Sequence, residues 1–448
     1  MPATLMAIGL CLVALAWVTR MPAMAAAGIV WLVIGWIVTR TATHPRWRTL
    51  VRGVGVVTTL VGLLLVAALG VLVLNAHAPV PDAFYATEET SGRSPGDLLR
   101  AEPFERAVPP GGRAWRILYT TTRADGVPAV ASAVVLAPRG PADGPRPVVA
   151  WTHGTTGVVA GCAPTTLPAP FPFDATVPAI DRLLAEQWVL VGTDYAGLGT
   201  EGGHPYLIGE AEARSALDAV RAARRMTDVS LDARTVVWGH SQGGHAALWA
   251  GIVATRYAPD VPISGVAALA PATALPALVD AAQHTIVGRI MASFVMTAYG
   301  AAYDDVRVDD YVGPRARARA MASRCLSGAG ALLSVVTAAT METPFFERSP
   351  REGALGLRLE QNVPRSPIAA PVLVAQGLAD DLVLPAVQGA FVRERCEAGQ
   401  RLEYRTYAGR DHVSLVAAES ALSEDLVAWT RERFRGVPAP DGCPIVTR

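Results

Sequence analysis

From Trp115 onward, short runs rich in β-branched and aromatic residues alternate with longer runs whose apolar positions recur every three or four residues. The short runs predict strands over Arg116–Thr122, Ala129–Leu136, Pro147–Thr152, Trp188–Thr193, Thr235–Gly239, Ile263–Ala268, Pro371–Gln376 and Leu402–Tyr407. The longer runs predict helices over Ile180–Glu186, Glu210–Met226, Gly243–Tyr257, Leu384–Arg395 and Leu415–Arg433. Runs such as VVAWTHG, VLVGTD, TVVWGHS and PVLVAQG are apolar on both faces, as strands are in a parallel sheet covered by helices on each side. The pattern is that of an α/β fold. It breaks from about Pro271 to Pro367, where Ile286, Ile290 and Phe294, then Val287, Met291 and Val295, recur at helical spacing with no strand between them. A helical insertion is expected over 271–367.

Before this region the pattern differs. Three uninterrupted apolar stretches, Ala3–Val18, Ala23–Val38 and Gly53–Leu74, make residues 1–75 read as a membrane segment of three transmembrane helices. The third is long enough for a hydrocarbon core of about 30 Å, and the first two are near the lower limit of about 17 residues. A cleaved signal peptide fits poorly, because three such segments occur and no A-x-A site follows a basic start. Residues 76–112, rich in Pro and Gly, read as a tether, and 113–448 as the α/β domain that carries the insertion.

The chain has 448 residues, 51% apolar and 17% charged, too long and too apolar for a disordered or disulfide-only polypeptide. Thirty-nine basic residues balance thirty-nine acidic ones, so no nucleic-acid footprint is present. The charge is unevenly placed: five Arg and no acid precede Asp82. Arg40, Arg46, Arg48 and Arg52 lie between the second and third stretches, which places that loop in the cytoplasm and everything after Leu74 outside it. Cys11 lies in the first stretch, while Cys162, Cys325, Cys396 and Cys443 form an even downstream set, as expected of bridges outside a reducing cytosol. No Cys/His cluster has metal spacing; neither a metal nor another cofactor is expected.

Gly239-His240-Ser241-Gln242-Gly243 matches the G-x-S-x-G nucleophile elbow and lies between a strand run and a helix run, where that motif functions. A serine hydroxyl needs a base, and the base needs a carboxylate to hold its tautomer. Elimination leaves His412, in a loop after the last strand, as the base: the other histidines belong to the membrane segment, precede the serine, lie on its own helix or fall in the insertion. The carboxylate is sought after the strand Pro371–Gln376, where Asp380 and Asp381 compete; Gly-x-x-Asp spacing favours Asp380. The oxyanion that forms needs backbone donors. Gln242 supplies one, and Gly154 or Thr155, in the loop after an earlier strand, the second. His153 reads as a structural member of that loop.

With these residues placed, the sequence resembles the secretory lipase family of α/β-hydrolases, the fungal lipase A type, over about Trp115 to Val446. His153 to Gly157, Cys162-Ala163-Pro164, Asp194 to Gly199, Gly239 to Gly244, Gly377 to Pro385 and Asp411-His412 carry the resemblance. It implies an α/β-hydrolase fold, hydrolysis of carboxylic esters including acylglycerols, Ser241, Asp380 and His412 as the triad, and the insertion as a lid. It also implies two disulfides, Cys162 to Cys325 and Cys396 to Cys443. The front end departs from the family, whose members carry a cleavable signal.

The expected function is therefore a serine esterase or lipase acting through an acyl-enzyme. It would be anchored in the cytoplasmic membrane with its catalytic domain outside, and its partner would be a small-molecule ester or lipid. No nucleic-acid or protein partner is indicated. Ile290, Met291, Phe294 and Val295 are candidates for the acyl-facing wall, since a buried methylene contributes about 0.8 kcal/mol. A peptidase or acyltransferase on the same triad, and a membrane interaction protein without turnover, are the alternatives.

Overall fold

The computed structural model describes residues 60–62, 64, 67, 70 and 75–448, apart from 88–91, 172–175, 314, 342 and 343. The first two apolar stretches, and most of the third, lie outside the described residues; among those described, no helix is long and apolar enough to cross a membrane. The chain divides into two compact units, Met1–Asn75 and Ala76–Arg448.

In chain order the elements of the second unit are β1 (Leu98–Phe104), β2 (Gly112–Thr122), β3 (Pro128–Pro138), β4 (Arg146–Thr152), α1 (Ile180–Ala185), β5 (Val189–Thr193), α2 (Gly209–Ala223), β6 (Leu231–His240), α3 (Gln242–Tyr257) and β7 (Ile263–Leu269). Helices α4 (Leu275–Ala282), α5 (Ile286–Ala302), α6 (Arg315–Ala322), α7 (Gly328–Ala339) and α8 (Gly353–Gln361) come next. Strand β8 (Val372–Gly377), α9 (Pro385–Glu397), β9 (Leu402–Tyr407), α10 (Ala421–Phe434) and β10 (Ile445–Thr447) complete the unit. The strands form one sheet in the order β1-β2-β3-β5-β4-β6-β7-β8-β9-β10. Pairing is antiparallel from β1 to β5 and parallel from there to β10. This is the α/β architecture expected from the doubly apolar runs, in the α/β-hydrolase form that the resemblance implies.

The period of two along each strand sorts the core into two layers. Val148 and Ala150 of β4 face α2 and α3 with Val237 and Val266, whereas Val149 and Trp151 face α1 and α10 with Val236 and Trp238. Between β7 and β8 none of the described residues joins the sheet as a strand, and α4, α5, α6 and α8 close over a third core built on Phe294, Tyr299 and Phe345.

Two expectations are corrected. The segment 76–112 is not a bare tether: β1 pairs along β2, and a short 3₁₀ turn at Ala83–Tyr85 buries Phe84 and Tyr85 against Leu118 and Val130. Strand β1 lacks apolar alternation because it is a half-exposed edge, where Pro103 removes no needed donor. The last helix starts at Ala421 rather than Leu415, because the Ser420 side chain accepts from the Leu422 N–H and caps it there.

Candidate active site

Strand β6 ends at His240 and α3 begins at Gln242, so Ser241 alone makes the turn, with φ 58° and ψ −119°. A non-glycine residue held there carries strain of about 1–3 kcal/mol, retained only where the surroundings dictate it. They do: the Ser241 N–H donates to the Leu269 carbonyl at 2.9 Å, and its own carbonyl accepts from the N–H groups of His245 and Ala272. The two motif glycines are required by close approach. A Cβ on Gly239 would overlap the Gly243 carbonyl and Thr152 Oγ1, and one on Gly243 would overlap the Thr152 carbonyl. Thr152 Oγ1 in turn donates to the Trp238 and Gly243 carbonyls, locking β4 to the elbow.

Three loops at the carboxyl ends of the strands bring Ser241, His412 and Asp380 into one line. Ser241 Oγ lies 2.9 Å from His412 Nε2, and His412 Nδ1–H donates to Asp380 Oδ2 at 2.8 Å. Asp380 Oδ1 accepts from the N–H groups of Leu382 and Val383, and Oδ2 also accepts from Gln376 Nε2. Burial alone would raise the Asp380 pKa, but these bonds and the His412 charge outweigh it and hold the carboxyl below its ordinary value. Asp381 points into solvent. Behind His412, His240 donates from Nε2–H to the His412 carbonyl at 2.9 Å; burial and the neighbouring His412 push its pKa down to about 3.

Of the two proposed second oxyanion donors, Gly154 lies beside the serine: a Cβ built on it would stand 3.8 Å from Ser241 Cβ. Thr155 shares a hydrogen bond of 2.9 Å with the Tyr206 hydroxyl. His153 is buried, donates from Nδ1–H to the Gly154 carbonyl at 2.6 Å, and is driven by desolvation to a pKa of about 4. Its place is structural. Ser241 and Gln242 open onto an apolar cavity of about 60 Å³ walled by Tyr206, Leu275, Val279, Met291, Val295 and Val383 among others. Met291 and Val295 therefore line this cavity, while Ile290 and Phe294 do not and are buried in the core of the insertion. One residue step turns a helix by about 100°, so the stripes 290/294 and 291/295 of α5 look in different directions.

Sequence reasoning did not single out Glu212. Fully buried on α2, it accepts from the Gln242 side-chain amide at 2.6 Å and the Leu207 N–H at 3.0 Å, and its Oε2 faces His245 Nδ1 at 3.4 Å. Burial raises its pKa. It thus fixes the residue after the serine to the loop that walls the cavity. Glu210 and Asp218 lie on the same helix, so nothing in the sequence set Glu212 apart.

Both disulfides pair as the resemblance implied, Cys162 with Cys325 and Cys396 with Cys443. The first joins the loop after β4 to the insertion, and the second joins α9 to the C-terminal segment.

The family model described as secretory lipase matches residues 173–442, more than half of the chain. The chain belongs to the secretory lipase family. It is a carboxylic-ester hydrolase of the lipase and esterase type. This lipase is 24% identical over 404 residues to Lipase 6 of Candida albicans, covering 83% of its own chain and 84% of the relative. It is 21% identical to Lipase A of Moesziomyces aphidis, over 82% and 85% of the two chains. Its fold is similar to that of Candida antarctica lipase A in the closed state, with TM-score 0.68, 18% identity, and 83% and 90% of the chains covered. The rice cell wall degrading esterase LipA from Xanthomonas oryzae aligns with TM-score 0.61 and 20% identity over 76% and 98% of the chains.

Proposed function

We propose that the lipase hydrolyses esters of apolar acyl groups through an acyl-enzyme on Ser241. The line from Ser241 Oγ through His412 to Asp380, opening onto an apolar cavity, carries this reading. His412 Nε2 takes the hydroxyl proton as Oγ bonds to the ester carbonyl carbon, and the carbonyl π pair moves onto oxygen. That oxyanion is met by the Gln242 N–H and by an N–H of the Gly154–Thr155 loop, each donor worth about 2.7–4 kcal/mol in favourable sites, with the N-terminus of α3 behind them. Asp380 stabilises the imidazolium, which returns its proton to the departing alkoxide. Water then repeats the sequence on the acyl-serine.

The helical insertion acts as a lid in this reading. The cavity is about 60 Å³, well below the roughly 300–1,000 Å³ of typical ligand pockets, so a long acyl chain enters when α4 and α5 move outward. Triacylglycerols and other long-chain esters are accordingly substrates of the open form. A fluorophosphonate probe should label the wild type and not Ser241→Ala, and an ester should turn over where the amide of the same acyl group does not. Labelling that survives Ser241→Ala removes the nucleophile assignment.

The three N-terminal apolar stretches are part of the same proposal. They anchor the lipase in the cytoplasmic membrane and leave the hydrolase unit outside, a side that the two disulfides favour. Resistance to carbonate extraction, with protease access to the hydrolase unit in intact cells, is the expected result.

A further inference from the structure

Helix α7 (Gly328–Ala339) packs inside out for a surface helix in water. Its buried stripe, at spacings of four, is small: Gly330, Ser334 and Ala338. Its outward stripe, Leu332, Val335 and Ala339, carries the large aliphatics, with Leu332 50% and Val335 39% exposed. Leu333 and Val336 beside them are half-buried. No charged residue occurs from Cys325 to Met341.

Cationic groups border this apolar face. The preceding helix α6 packs on α7 and exposes Arg315, Arg317 and Arg319 without an acid of its own. Arg317 donates to the Thr340 carbonyl at the end of α7, and Arg324 donates to Thr337 Oγ1 at 3.1 Å. Arg315 is the exception in this rim, since it pairs with Asp309. Apolar side chains rimmed by arginine are the composition of a helix lying in the headgroup region of an anionic bilayer. The chain itself points to the same occupant. Ala76, the first residue of this unit, has its carbonyl oxygen 3.3 Å from where a Cβ on Gly330 would stand, and the apolar stretch Gly53–Leu74 ends just before it in sequence.

We infer that the outward face of α7, with the α6 arginines, is a docking surface for the anionic phospholipid leaflet in which the lipase is anchored. This rests on the membrane reading of residues 1–75. The insertion is then held at the bilayer by a face separate from the Met291 and Val295 wall of the cavity. The enzyme draws its ester substrates from that leaflet rather than from bulk solution.

The test uses the full chain reconstituted in phosphatidylcholine vesicles with and without phosphatidylglycerol. Leu332→p-benzoylphenylalanine is irradiated beside Val127→p-benzoylphenylalanine, a control position in the β2–β3 turn with equal exposure of 50%. Hydrolysis of a water-soluble ester verifies that each variant is folded. A phospholipid adduct at 332 and none at 127, stronger with phosphatidylglycerol, is expected; adding Arg317→Gln and Arg319→Gln should abolish the dependence on phosphatidylglycerol. An adduct to a second copy of the chain, or lipid labelling at 332 no greater than at 127, overturns the proposal. Carbonate extraction of the same vesicles is read separately: release of the chain refutes the spans, whereas the adduct pattern alone decides the fate of α7.

Discussion

Ser241 is held by its backbone, so its hydroxyl can be removed without disturbing the turn. Ser241→Ala should lose ester hydrolysis while its thermal midpoint stays within a few degrees of wild type. The two neighbouring aspartates separate more sharply. Asp380→Asn removes the acceptor that fixes the His412 tautomer and should cost about 10⁴-fold in kcat by analogy with other triads. Asp381→Asn, at an exposed side chain, should stay close to wild type. Comparable losses at both positions would refute the choice of Asp380. That choice was legible in sequence because turn spacing after a strand is a local property. Glu212 was not, since its partners Gln242, Leu207 and His245 meet it only when α2 packs on α3. Glu212→Leu should lower kcat more than KM, because it frees the residue proposed to supply an oxyanion donor. Glu212→Gln retains an acceptor for Gln242 and should restore most of the rate.

At the scale of elements, α5 presents two apolar stripes, and periodicity alone does not say which one fronts the serine. Both stripes read as buried in sequence, one against the core of the insertion and one against an empty cavity, and hydropathy is the same in either place. Position in the fold separates them, with Phe294 fully buried in the core of the insertion and Met291 at the cavity wall. Phe294→Ala should therefore cost about 3–5 kcal/mol in stability and leave acyl-length preference unchanged. Met291→Ala should shift the preference toward longer acyl chains with a smaller loss of stability. Unfolding midpoints and hydrolysis rates over a series of acyl lengths decide between them. The central strands were legible for the converse reason: each is apolar on both faces, and their ends were read within a few residues. Strand β1 and the three-residue β10 were missed because edge strands bury one side at most and carry little of that signal.

At the scale of the whole molecule, the disulfides close loops with sequence separations of 163 and 47 residues. Removing either bridge by paired Cys→Ser changes should cost roughly 2–4 kcal/mol. Three buried histidines contribute to the response to acid, one of them, His204, 3.9 Å from the Glu212 carboxylate. Desolvation lowers the pKa of His153 to about 4 and of His204 and His240 to about 3, with a neighbouring histidine contributing at the latter two. In the unfolded chain each titrates near 6.5. The folded state thus holds them neutral, and the stability they contribute is complete above pH 6.5 and is lost as pH falls from there toward 3–4. Asp194 acts in the opposite sense. Burial raises its carboxyl to about 6 against three hydrogen bonds from Ser132 and Thr165, so it favours the fold at low pH and loses that contribution as pH rises from 3.8 to 6. Near pH 5 these four groups together take up about two protons on unfolding, each worth about 1.4 kcal/mol per pH unit. Urea midpoints should accordingly fall steeply between pH 6.5 and 4.5, and His240→Gln should flatten that slope by about one proton. A midpoint that stays constant from pH 7 to 4.5 would refute the reading that the folded state holds these three rings neutral.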